Sequence, residues 1–170
     1  MATIDWIKVP QTVLETDPPA LDPDLPEYDI TVGDSFALRQ VAGSYDPNGE
    51  RGEGGSVQIT LTWEGLVDRP PVDATVFVHV RDADGNMVDQ SDIRPWNGQY
   101  PTMIWDAGEI VQTTHALDIG AHDPAELQVV AGMYTFPGPD RLSVRQNGDA
   151  VPDALIELGT LAGLPEITGP

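Results

Sequence analysis

Between residues 57 and 63 the chain alternates without a break: Val57, Ile59, Leu61 and Trp63 are apolar, and Gln58, Thr60 and Thr62 between them are polar. A period of two sends successive side chains to opposite faces of an extended chain, so this stretch reads as a strand with one face in a core. A second run, A-T-V-F-V-H-V-R at 74–81, leads through D-A-D-G-N into M-V-D-Q-S-D-I. Gly85 after Asp84 offers the positive φ that a hairpin needs, which predicts antiparallel pairing of 74–81 with 86–93. Further strands are predicted at 33–42, 109–118, 126–136, 140–146 and 154–159, with turns at Pro137-Gly138 and Asn147-Gly148 and a glycine-rich loop from Arg51 to Gly55. No stretch sustains a 3.6-residue period long enough for a substantial helix.

The expected fold class is therefore all-β: a two-sheet antiparallel β-sandwich over residues 28–165, with immunoglobulin-like or jelly-roll connectivity. Ahead of it, residues 1–27 read as an extended Pro-rich N-terminal arm. Pro10, Pro18, Pro19, Pro23 and Pro26 stand among acidic residues there, and proline suits neither a helix interior nor a sheet ladder. The start of the arm carries Ile4, Trp6, Ile7 and Val9, apolar enough to add as a strand to a sheet edge of this chain or of a neighbour. Residues 166–170 read as a tail.

Charge narrows the partners. Eight Lys and Arg against 28 Asp and Glu leave a net charge of −20, which repels phosphate backbones and anionic lipid surfaces, so nucleic acid is not an expected partner. No run of 18 apolar residues and no basic-then-apolar leader occurs, so membrane insertion of this chain is not expected either. The absence of cysteine removes disulfides, thiolate metal sites and cysteine nucleophiles, and leaves the redox compartment open. A single lysine and an excess of Asp over Glu fit either high-salt adaptation or display outside a cell.

The stretches T-V-F-V-H-V-R-D-A-D-G-N-M-V-D-Q-S-D at 75–92, Y-P-T-M-I-W-D-A-G-E-I-V at 100–111, V-V-A-G-M-Y at 129–134 and D-R-L at 140–142 are similar to a bacterial module. They resemble the β-sandwich domains C-terminal to multi-spanning glycosyltransferases of the dolichyl-phosphate-mannose mannosyltransferase type, and those of related exported proteins, notably in Chloroflexota. I-T-V-G-D-S-F-A-L-R at 30–39 and V-Q-I-T-L-T-W at 57–63 resemble the module's first strands, so the likeness spans roughly residues 28–160 in order. It implies an extracytoplasmic accessory domain without transferase chemistry. The proline-rich turn T-F-P-G-P-D replaces the polar turn usual in such modules, which leaves room for a stand-alone or assembly-forming variant.

Four groups of residues carry candidate chemistry. Arg94, Trp96, Asn97, Tyr100 and Trp105 lie close together; flat aromatic faces stack on the apolar faces of sugar rings while amides and charges bind hydroxyls, so they form a carbohydrate candidate. The competing reading is that the rings plug one end of the sandwich. Asp82, Asp84 and Asn86 alternate as oxygen ligands for calcium would, but Met87 and Ile93 stand where an EF-hand loop needs Gly and Glu, so an ordinary hairpin turn is favoured. His79, His115 and His122 lack the short spacing of a zinc site. Carboxylates abound without a spacing that marks a hydrolase, and no G-x-S-x-G elbow is present. Ile4, Trp6, Ile7 and Val9 form the partner-binding candidate.

The resulting expectation is a non-enzymatic, extracytoplasmic structural or accessory module that makes protein contacts or self-assembles through its arm, with no cofactor unless calcium is held at Asp82, Asp84 and Asn86. The alternative is a carbohydrate-binding module built on the aromatic loop.

Overall fold

A computed structural model describes residues 20–47, 54–136 and 140–165. In chain order the strands are β1 (Ile30–Val32), β2 (Phe36–Asp46), β3 (Gly55–Gly65), β4 (Ala74–Arg81), β5 (Met87–Ile93), β6 (Ile110–Gly120), β7 (Gln128–Thr135), β8 (Val144–Gln146), β9 (Asp149–Ala150) and β10 (Ile156–Thr160). They form two antiparallel sheets, one of six strands in the order β6-β3-β2-β1-β8-β9 and one of four in the order β10-β7-β4-β5. The chain is an all-β two-sheet sandwich, and it passes between sheets at β3–β4, β5–β6, β6–β7, β7–β8 and β9–β10. No helix among the described residues is long and apolar enough to cross a membrane. The candidate arm residues Ile4, Trp6, Ile7 and Val9 and the tail 166–170 lie outside the described residues.

The alternation seen in the sequence is what builds the core. Val57, Ile59, Leu61 and Trp63 of β3 turn inward and are at most 2% exposed, as do Val76, Val78 and Val80 of β4 and Val129, Ala131 and Met133 of β7 in the facing sheet. Each fully buried branched side chain contributes about 1.5–3 kcal/mol of transfer free energy. The indole N–H of Trp63 donates to the Thr113 hydroxyl on β6 at 3.3 Å, so burial leaves no orphaned donor there.

Two predicted strands are revised. The run 33–42 begins with a hairpin: Gly33 and Asp34 have φ of 60° and 59°, and the turn pairs Val32 with Phe36. Gly pays no steric cost in that region and Asp tolerates it, so the chain reverses where a continuous strand was expected. The run 140–146 shortens to 144–146, because Arg141 meets the sheet by one bridge to Tyr134 and then leaves it. The hairpin between β4 and β5 is present as predicted, closed by residues 82–86.

The sandwich is closed along one side where β5 and β6, the edge strands of different sheets, run together. Asp89 accepts the Asp118 N–H at 2.8 Å, and Ser91 meets the His115 ring.

Candidate functional site

The aromatic segment 93–105 forms two 3-10 turns, Pro95–Gly98 and Thr102–Ile104, that cap one end of the sandwich. Trp105 is 0% exposed and meets Phe36 edge-on at 5.4 Å, with its indole N–H on the Tyr100 carbonyl at 3.3 Å. Tyr100 is 2% exposed and its hydroxyl donates to Glu109; burial, then that carboxylate, pushes the phenol pKa up. Thr102 completes the cap, accepting the Ala74 N–H at 2.9 Å and donating to the Val72 carbonyl at 2.7 Å. The carbohydrate expectation is therefore corrected at Tyr100 and Trp105, since a ring closed off from solvent has no face to stack on a sugar. The side chains of Trp96 and Asn97 lie outside the described residues.

Asp82 folds back on its own turn. Its Oδ1 accepts the N–H groups of Asp84 and Asn86, each at 2.9 Å, and its Oδ2 accepts from the Asn86 amide at 3.3 Å. The Asn86 N–H is the main reason its carboxyl sits below the usual range. Asp82 thus acts as an Asx-type brace of the hairpin. No group of three or more His, Asp or Glu positioned to hold a metal occurs among the described residues.

Arg94, the remaining member of the aromatic-loop set, points elsewhere. It projects from the outer face of the four-stranded sheet, where Thr75, Phe77, His79 and Arg81 of β4 also point. The register places Asp92 and Gly132 beside Phe77, and Gln90 and Val130 beside His79. A Cβ at residue 132 would stand 2.6 Å from the Phe77 ring, so glycine is what lets that ring lie across β7. Phe77 is only 1% exposed despite facing outward. Tyr134 stacks on it at 6.1 Å, the His79 ring lies at 4.8 Å, and the Arg141 guanidinium sits 5.6 Å from its centroid. Arg141 is held there by its bond to the Asp153 carbonyl at 3.1 Å.

Around this floor polar groups are fixed in place. The Tyr134 hydroxyl donates to Asp92 Oδ2 at 2.8 Å, and burial, then that bond, raises the phenol pKa. The Arg94 guanidinium lies 3.9 Å over the Phe136 ring and pairs with Asp73, and Phe136 remains 47% exposed. That ion pair leaves Asp73 Oδ1 and Arg94 Nε buried without partners. His79 Nδ1 is buried and unpartnered as well, and burial favours the neutral ring; Asp92 opposes that shift, and Arg81 and Arg141 reinforce it.

The face therefore combines a half-exposed aromatic ring, a carboxylate with one oxygen already oriented, and guanidinium groups on a rigid sheet. The pattern of the sequence does not single out Tyr134, Phe136, Gln90 or Arg141. One signal was available: in V-V-A-G-M-Y-T-F, Tyr134 and Phe136 occupy the phase opposite to the core residues Val129, Ala131 and Met133. Aromatic rings on the outward phase of a strand need a reason.

No protein-family model matches the chain, and no curated protein is significantly similar to it. Among solved structures, the C-terminal domain of Wzt is similar over 94% of this chain and 94% of that chain, with a TM-score of 0.49 and 10% sequence identity. The functional reading below rests on the residues of this chain.

Proposed function

We propose that the chain is a binding module without catalytic chemistry, whose ligand is a carbohydrate received on the outer face of the four-stranded sheet. The observation that carries this reading is Phe136, 47% exposed with the Arg94 guanidinium stacked on it, next to the Tyr134–Asp92 pair. A sugar ring offers apolar C–H faces and a rim of hydroxyls. The aromatic surface accepts the first, and a preoriented carboxylate and guanidinium bind the second at little cost in side-chain entropy. The resemblance of residues 28–160 to accessory domains of membrane glycosyltransferases supports a position outside the cytoplasm, on a larger protein or assembly. The test is a titration of the full chain with a panel of oligosaccharides, comparing the wild type with Phe136→Ala. Saturable binding weakened about tenfold, or roughly 1.4 kcal/mol, supports the reading. Binding untouched by the substitution, or no binding across the panel, overturns it.

A second reading, assembly through the N-terminal segment, is favoured by the edge of β2. Strand β1 covers only Phe36–Leu38, and further along the Gly43 N–H is taken by the Pro165 carbonyl at 2.7 Å. Beside it lies a groove of about 210 Å³ lined by Tyr45, Val57, Pro124, Leu161 and Leu164 among others. The occupant proposed is residues 3–9 of a second copy, whose Ile4, Trp6, Ile7 and Val9 supply apolar side chains for such a groove. If this is correct the full chain sediments as an oligomer and deletion of residues 1–19 brings it to the monomer value; a full chain that already sediments as a monomer, or an oligomer that survives the deletion, overturns it.

A further inference from the structure

The distribution of positive charge on this chain is uneven. It has eight Lys and Arg residues in all, and three of them, Arg81, Arg94 and Arg141, project from the outer face of the four-stranded sheet. Arg94 is neutralised by Asp73. Arg81 and Arg141 form no ion pair with a described carboxylate, although acidic residues outnumber basic ones 28 to 8. Arg81 stands two residues from His79 on the same face of β4, and Arg141 lies over Phe77, whose ring contacts His79. Both arginines are near enough to the His79 ring to favour its neutral form, so two guanidinium groups border the same aromatic floor. Asp92 borders it as well, with its Oδ2 occupied by Tyr134.

A neutral glycan would use the Asp92 side of this arrangement and leave the two guanidinium groups unpaired. A planar anion suits the forked donors of arginine, and the partial burial of Arg81 and the apolar floor beneath Arg141 strengthen a charge-assisted bond relative to open solvent. From this, and on the carbohydrate reading above, we infer that the ligand is an acidic saccharide: its anionic group is taken by Arg81 and Arg141, and its hydroxyls by Asp92. The chain's overall negative charge repels any anion at a distance, so recognition is local and short-ranged.

The experiment is calorimetric titration of the full chain with three probes: oligogalacturonate, the methyl ester of the same oligosaccharide, and a sulfated galactan oligosaccharide. The uronate or the sulfate is expected to bind at least about tenfold more tightly than the ester, and which of the two does so identifies the acid. Arg141→Gln and Arg81→Gln are each expected to erase most of that preference, and Arg141→Lys to retain part of it. Melting temperatures show whether the variants remain folded; two separate arginines keep the test decisive if one destabilises the loop. Equal binding of ester and acids, or tighter binding of the ester, overturns the acidic specificity and leaves the carbohydrate reading standing. Absence of binding to all three probes overturns the specificity, and the wider oligosaccharide panel then decides the carbohydrate reading separately.

Discussion

His115 on β6 and Ser91 on β5 join the free edges of two different sheets, with the imidazole Nδ1 3.1 Å from the serine hydroxyl and Nε2 3.0 Å from the hydroxyl of Thr113. The ring is fully buried. Two neutral hydroxyls satisfy it in one tautomer, and neither compensates a positive charge.

That placement makes the sandwich sensitive to acid. Burial lowers the His115 pKa from 6.5 to about 4. In the unfolded chain the ring takes up its proton near 6.5, so between pH 6.5 and 4 the unfolded state binds more protons and stability falls as pH falls. The contribution is complete above 6.5 and is lost by about pH 4, a change of roughly 3 kcal/mol at most. Urea unfolding of the wild type at pH 7 and pH 4.5, set against His115→Gln, measures it. The variant is expected to lose most of the pH slope, keeping the part of the same sign that His79 supplies. An unchanged slope removes His115 as its source.

Trp105 and Tyr100 make a second prediction, opposite in kind to what a ligand site would give. Trp105→Ala empties the end of the core and is expected to cost about 3–5 kcal/mol. Tyr100→Phe removes the bond to Glu109 and is expected to cost about 1–2 kcal/mol. Chemical denaturation checks both. A loss under 1 kcal/mol for Trp105→Ala would contradict its burial.

How much of this was legible in the sequence follows from where the information resides. The Val57–Trp63 alternation and the 74–81 hairpin are local, and a period of two is enough to place their inner faces. The turn at Gly33-Asp34 is also written in the residues, but it stands at the head of the run 33–42, whose apolar residues from Phe36 onward read as one strand. The outer-face site was not legible, because it joins Asp92 of β5, Phe77 of β4, Tyr134 of β7 and Arg141 of the following loop. Strand order decides that meeting, and periodicity carries no strand order. The aromatic loop misled for a related reason: Trp105 and Tyr100 lie in a non-periodic stretch, where sequence does not separate a plug from a platform.

Gly132 supplies a third prediction. An alanine there would set its Cβ 2.6 Å from Cζ and 2.9 Å from Cε1 of Phe77, a ring only 1% exposed, and 3.3 Å from the Ala154 carbonyl oxygen. Gly132→Ala is expected to destabilise by about 1–3 kcal/mol. Phe77→Leu in that background shortens the opposing side chain, so the double variant should lose less than the sum of the single ones. Additive losses would mean that the two residues do not press on each other.

Tyr134 and Asp92 separate binding from stability most cleanly. Tyr134→Phe keeps the ring that stacks on Phe77 and removes only the hydroxyl that orients Asp92 Oδ2. The raised pKa of Tyr134 keeps that hydroxyl protonated and donating at and above neutral pH, so no titration of its own confuses the comparison. The pair is largely exposed, so its loss should change unfolding free energy by less than about 1 kcal/mol. A carboxylate left to rotate loses its preorganisation, and oligosaccharide affinity is expected to fall about three- to tenfold. Asp92→Asn, which keeps the shape and removes the charge, should fall by at least as much. If both variants bind as the wild type does while Phe136→Ala does not, the sugar rests on Phe136 and Arg94 alone and Asp92 leaves the site.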